Sequence, residues 1–149
     1  MNEEKPRILK EDELQKLLDL YEHLHPGDGN IATDRTRSSW ESIMKNRDII
    51  TVFVIELEGI MASSCVLSVI PNLTRGGRPY GLLENMITHP AYRNRGLGKA
   101  VVTEAIRHAR NRNCYKVMLL SDSKRTEAHA FYEAVGFDRG KKIGFVFSL

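Results

Sequence analysis

Cysteine is almost missing from this chain: there are two in 149 residues, Cys65 and Cys114. They show no CxxC spacing and no histidine cluster, so a zinc site is not supported and no metal is expected. A disulfide is not expected either, and both read as reduced thiols of a cytoplasmic protein. Long apolar runs are absent as well. Stretches such as Val117-Met118-Leu119-Leu120 span a few residues, far short of the ~18 needed to cross a bilayer, so no membrane partner is expected. The opening residues MNEEKPR mix charges around no apolar core, and a secretory signal is not expected. A dominant charge is lacking too. The formal net charge is +3, from 22 basic and 19 acidic residues, which does not fit a dedicated nucleic-acid binder. No repeat, low-complexity tract or Pro/Gly/Ser linker divides the chain, so residues 1–149 read as one domain.

Hydrophobic residues make up 42% and charged residues 28%, an ordinary soluble balance with enough apolar mass for a core. Residues 6–10 could form a short first strand. Between Asp12 and His25, Leu14, Leu17, Leu18, Tyr21 and Leu24 recur at helical spacing. Pro26, Gly27 and Gly29 break that helix, and Thr33 or Asp34 can cap a second one running to about Lys45. Ile49 to Leu57 and Ile60 to Ile70 are strand-like and flank a Glu58-Gly59 turn, which predicts a hairpin. Tyr80 to Thr88 is a further strand, ended by His89-Pro90. Gly96 to Arg112 is the clearest amphipathic helix, with Leu97, Val101, Val102, Ala105 and Ala109 on one face. Tyr115 to Ser121 reads as a strand buried on both faces. Arg125 to Val135 is a last helix capped by Gly136, and Phe137 with Ile143 to Ser148 supplies final strand material. The order predicts an α/β domain with a mixed sheet.

The chemistry concentrates in Arg93-Asn94-Arg95-Gly96-Leu97-Gly98-Lys99, between a strand and the strongest helix. A helix start offers unpaired N–H groups and the positive dipole end. Gly96 and Gly98 let phosphate oxygens approach the backbone, and Arg93, Arg95 and Lys99 add charge. The stretch therefore reads as a pyrophosphate cradle, against the simpler reading of a basic turn. It is not a GxxxxGK[ST] loop, since Ala100 follows Lys99, and it lacks the third glycine of a dinucleotide fingerprint. Nine basic residues between 93 and 125 face only Glu104 and Asp122, a local field suited to a small polyanion. Glu84 and Asn85 interrupt an apolar strand. In a partly dry cleft Glu84 can act as a general base; equally it can pair with an arginine. Tyr132, in AHAFYEAVGF, could donate a proton, although helical spacing alone reads it as core. His23, His25, His108 and His129 read as solvent-facing. Neither cysteine has a histidine partner, which argues against a thiol nucleophile.

Three motifs in order, LLENMITHPAYRNRGLGKAVV (82–102), YKVMLLS (115–121) and AHAFYEAVGF (128–137), resemble the GCN5-related N-acetyltransferases (GNAT). The resemblance implies their fold: a central mixed, mostly antiparallel sheet with splayed fourth and fifth strands, flanked by helices. It also implies acetyl-CoA as cosubstrate and no metal. Residues Arg93 to Lys99, with Asn94 and Leu97 among them, would hold the pyrophosphate. Met86 and Ile87 would hold the pantetheine arm, and a strand N–H, often beside a bulge, would polarise the thioester carbonyl. Glu84 would serve as base toward a primary amine, and Tyr132 would protonate the departing thiolate. Acetyl transfer would then be direct, without a covalent enzyme intermediate. Many members have asparagine where this chain has Arg125, which could reach a phosphate instead. A homodimer is plausible from family habit.

The expected acceptor is a small-molecule amine. Glu22, Asp28, Asp34 and Glu41 could receive a cation; Arg35, Arg37, Arg75 and Arg78 could receive a carboxylate or phosphate. Trp40 walls a pocket or packs the core. A competing class is an acyl-CoA sensor without catalysis, which would keep residues 93–99 and dispense with Tyr132 or Glu84. A nucleic-acid module ranks last, for want of interleaved exposed aromatics.

Overall fold

The computed structural model describes residues 5–149. Chain order is β1 (Arg7–Ile8), α1 (Leu14–Tyr21), α2 (Asp34–Lys45), β2 (Ile50–Leu57), β3 (Ile60–Ile70), a one-turn α3 (Thr74–Gly77), β4 (Tyr80–Thr88), α4 (Leu97–Asn111), β5 (Val117–Met118) and α5 (Thr126–Val135). Among the described residues the strands form one sheet in the order β1-β2-β3-β4-β5. The first three pairings are antiparallel, and β4 pairs with β5 in parallel.

The centre of the sheet follows from side-chain alternation. On β2, Phe53 and Ile55 point to one face, while Val52 and Val54 point to the other. Phe53 and Ile55 pack with Leu67, Leu83 and the apolar stripe of α4, namely Val101, Val102, Ala105 and Ala109. Val52 and Val54 pack with Leu17 and Leu20 of α1 and Trp40 of α2. Helices therefore cover both faces, which is why β2 reads as a continuous β-branched run. Trp40 is core, and its indole N–H donates to Glu11 O at 3.1 Å. The expected caps form: Thr36 N–H donates to Thr33 Oγ1 at 3.2 Å, and Gly136 ends α5 at φ 119°. Glu58 and Gly59 both take positive φ, which gives the hairpin a turn matched to strand twist.

Two expectations fail at the far edge. The strand predicted over Tyr115–Ser121 contracts to Val117–Met118, and Met118 and Leu120 are exposed. No segment of the described chain lies hydrogen-bonded along its outer side, so double-sided burial is not achieved. The strand expected from Ile143 to Ser148 does not form, because the chain after Phe137 leaves the sheet. The first helix is also shorter than predicted, and residues Glu11–Glu13 form a 3-10 turn instead.

At the N-terminal edge, Arg7 bridges Glu13 (2.7 Å) and Glu56 (2.6 Å), and Lys16 joins Glu56 at 2.8 Å. Lys10 N–H also donates to Glu13. The Arg7 guanidinium holds the Glu13 carboxyl down at about 2. This network ties β1, β2 and α1 together.

Candidate active site

The site grows from β4. Gly81 and Leu82 pair with Val117 and Met118, and beyond them β4 continues with no partner on that side among the described residues. The two strands part there and leave a cleft. Along its other edge β4 follows β3 with one irregularity. Val66 stands opposite Glu84 and Ser64 opposite Ile87, so Cys65 alone faces Asn85 and Met86. Two residues opposite one make a β-bulge, and Asn85 absorbs the turn at φ 50°. The polar Glu84-Asn85 pair in an apolar strand marked this bulge in the sequence, since asparagine tolerates left-handed backbone.

Glu84 lies in the cleft but is exposed, which corrects the expectation of a carboxylate in dry surroundings. The reason is local: β5 pairs with β4 only as far as Leu82 and has diverged before Glu84. Cys65 is the reverse case. It is fully buried, its Sγ–H reaches Val101 O at 3.6 Å, and burial pushes its thiol up to about 12. It is a thiol packed beside the bulge, not a nucleophile.

The helix-start loop follows β4. His89 Nδ1 accepts from Ala91 N–H and caps the 3-10 turn Pro90–Tyr92. Asn94 (φ 61°) and Gly96 (φ 79°) then curl the chain into α4. No side chain caps this helix. Leu97 plugs into the core, while Arg93, Asn94, Arg95, Gly96 and Lys99 are exposed around the first turn. Arg93 Nε donates to Thr88 O at 3.3 Å, and the Arg95 guanidinium lies 5.6 Å from the Tyr92 ring centre. Gly98 has a different task from Gly96. A Cβ on Gly98 would meet Met86 Cε, Thr88 Oγ1 and Phe131 Cζ at 2.9, 3.2 and 3.4 Å. Its missing side chain lets the helix dock on β4 and α5, whereas Gly96 faces open space.

Tyr132 on α5 completes the group. It is half-buried, with Phe131 and Phe137 edge-on at 5.2 and 5.9 Å. Burial raises its phenol pKa; Arg125 pulls it down, and Cys65 and Glu84 push it up. Tyr132, Glu84, Cys65 and Arg125 thus share one electrostatic neighbourhood although they come from separate elements. Met86 reaches this side through Gly98, whereas the Ile87 side chain turns to the opposite core beside Trp40. Sequence reasoning missed Phe131, which sits against the helix start, and Tyr21, a half-buried residue whose phenol is pushed up to about 12 by desolvation beside Ser64 and Asn85. Spacing on an apolar helix face gave neither away.

The surroundings sort the other candidates. Arg78 is committed to the Asn113 and Cys114 carbonyls, and Arg75 stacks on Tyr115. Glu22 accepts from Gly27 N–H at 3.0 Å, and its second oxygen is buried without a partner. His108 is half-buried edge-on to Phe53, against the solvent-facing expectation. Among the described residues no cluster of three or more His, Cys, Asp or Glu could hold a metal, and no helix is long and apolar enough to cross a membrane. A groove of about 1110 Å³ runs beside β5 and includes Tyr132, but it does not extend to Glu84 or the helix-start loop.

A family model described as the acetyltransferase (GNAT) family matches residues 14–137. A glucosamine 6-phosphate N-acetyltransferase of Trypanosoma brucei brucei is 37% identical over 139 residues, covering 88% of this chain and 86% of that protein. A putative acetyltransferase from Agrobacterium tumefaciens superposes with a TM-score of 0.90 at 37% identity, over 97% of this chain and 99% of its own. A glucosamine-6-phosphate N-acetyltransferase from Arabidopsis thaliana superposes at 0.84 with 26% identity, over 97% of both chains.

Proposed function

The chain belongs to the GNAT acetyltransferase family, and from that premise we propose that it acetylates the amine of a phosphorylated amino sugar such as glucosamine 6-phosphate. The observation that supports this acceptor is the relative from Trypanosoma brucei brucei, which matches at 37% identity along most of both chains. The family uses acetyl-CoA, whose thioester supplies an activated acyl group when bound.

The residues present fit that cosubstrate. The uncapped start of α4 points N–H groups outward, with Gly96 bare and Arg93, Arg95 and Lys99 around it, and these would hold the pyrophosphate. Arg125, at the start of α5, adds a cation on the Tyr132 side. The bulge takes Met86 out of register with β3. Its N–H is then available to the arm or to a carbonyl oxygen that gains negative charge. Glu84, exposed in the cleft, takes the amine proton directly or through water. Tyr132 keeps its proton at neutral pH because burial raises the phenol, so it can deliver that proton to a thiolate. The acetyl group passes straight to the amine.

The test is coenzyme A release with glucosamine 6-phosphate, glucosamine, an aminoglycoside and a polyamine as acceptors. The expected result is a kcat/KM for glucosamine 6-phosphate at least ~10-fold above that for glucosamine, since an unmatched charged group forfeits a kilocalorie or more. Equal rates with both, or a preference for the polyamine, would overturn the acceptor and leave the transferase intact.

A further inference from the structure

Strand β4 holds its bulge with strand support from one side. Asn85 sits at φ 50°, and Cys65 of β3 alone faces Asn85 and Met86. On the other side β5 pairs with β4 no further than Leu82. The ladder is disrupted where a bulge inserts its extra residue. A left-handed residue other than glycine persists only where its surroundings over-determine it. Something besides the ladder therefore fixes this backbone.

The register shows which face supplies it. Ser64 of β3 stands opposite Val54 on one side and Ile87 on the other, and Val66 stands opposite Glu84. Cross-strand partners share a face, and Val54, Val66 and Ile87 belong to the core beneath α1. Ser64 and Glu84 are thus on the α1 side, whereas Cys65 and Met86 turn to the core of α4. Tyr21 ends α1 and packs on that first core. Its hydroxyl lies beside Ser64 of β3 and Asn85 of β4, so one side chain from the helix meets both strands at the bulge. Ser64 is fully buried, and its Oγ has no hydrogen-bond partner among the described residues. A buried hydroxyl left unpaired costs about 1–3 kcal/mol, and the phenol beside it is the group placed to satisfy it.

We propose that Tyr21 is a positioning residue of the transfer site: its hydroxyl, tied to Ser64 on β3 and Asn85 on β4, locks the bulge and so aims the Met86 N–H and the Glu84 side chain. This role rests on the acetyl-transfer reading given above. The phenol suits a fixed strut. Desolvation pushes it up to about 12, so it keeps its O–H and can donate and accept at once across the working range. Tyr132 is assigned a proton to deliver; Tyr21 moves none.

Tyr21→Phe removes the hydroxyl and keeps the ring in the core. Amide chemical shifts of the free protein are the first readout, since they do not depend on which amine is the acceptor. The Asn85 and Met86 signals should move more than others along β4. In coenzyme A release with glucosamine 6-phosphate, kcat should fall about 10-fold, part of the loss that a 1 Å misplacement brings. KM for acetyl-CoA should stay within about 2-fold, and the alkaline limb assigned to Tyr132 should remain. In an Asn85→Gly background the same substitution should cost less than about 2-fold, because one anchor of the strut is already gone. Unmoved amide shifts at 85 and 86 overturn the proposal, as do an unchanged kcat, a lost alkaline limb or losses that simply add in the double variant. A wild-type chain that acetylates no amine would defeat the acetyl-transfer reading instead, and the amide shifts then decide whether Tyr21 holds the bulge. Should Tyr21→Phe fail to fold, Ser64→Ala takes away the other anchor and is read by the same shifts and rates.

Discussion

Gly98 of α4 stands against Met86 of β4, with room of only 2.9 Å between a would-be Cβ and Met86 Cε. The contact joins the helix start to the bulged stretch of strand, so the two parts of the cleft hold one fixed spacing. A side chain at this position must push either Met86 or Phe131 aside.

Gly98→Val is therefore expected to cost about 1–3 kcal/mol of stability through overpacking. It should also weaken acetyl-CoA binding more than Gly96→Ala does, because Gly96 faces open space and its penalty is confined to a positive φ. Calorimetric titration and thermal melts of both variants check this ordering.

On the role proposed for Tyr132, Tyr132→Phe should lower kcat by ~10²-fold while KM for acetyl-CoA stays nearly constant. Burial raises the phenol pKa, so the acid form persists across neutral pH and is lost only above the usual tyrosine range. Wild-type kcat should fall on that alkaline limb, and the Phe variant should lack the limb. An unchanged rate and pH profile in the variant would remove Tyr132 from the chemistry.

Asn85 holds the bulge at φ 50°. Asn85→Gly should fold as well as wild type, whereas Asn85→Val should lose about 1–2 kcal/mol, because a β-branched side chain resists left-handed backbone. Chemical denaturation of the two variants gives the comparison. Equal stability would mean that the bulge is imposed by its neighbours.

Glu13 has a folded-state pKa of about 2, set mainly by Arg7. A depressed carboxylate contributes stability that is fully present above its unfolded pKa and is lost as pH falls toward the folded value. Glu13→Gln should thus destabilise by about 2 kcal/mol at neutral pH, with the difference shrinking between roughly pH 4.5 and 2. Unfolding curves across that window measure it.

Legibility in the sequence tracked how local the determinant was. The β2–β3 hairpin was readable because Glu58-Gly59 and the flanking β-branched runs specify it within 21 residues. Helix α4 was readable from its stripe of Val101, Val102, Ala105 and Ala109. The motif order singled out the basic helix start and Tyr132, and the structure sets them on the first turn of α4 and on α5. The exposure of Glu84 was not, because it depends on β5 diverging after Met118, a fact of tertiary placement. Gly98 looked like an opening for phosphate, yet its neighbours are Met86, Thr88 and Phe131, which lie far from it in sequence or on other elements. The strand pattern over 143–148 was visible in the sequence, yet no strand forms there because the chain leaves the sheet after Phe137.

The seclusion of Cys65 has a practical reach. Its thiol is fully buried and pushed up to about 12, and burial raises the half-buried Cys114 as well. Neither sulfur is a thiolate at working pH, so maleimides and aromatic disulfides should react slowly with the folded protein. A colorimetric thiol reagent can then count liberated coenzyme A continuously, without cysteine replacement and with little background from the enzyme.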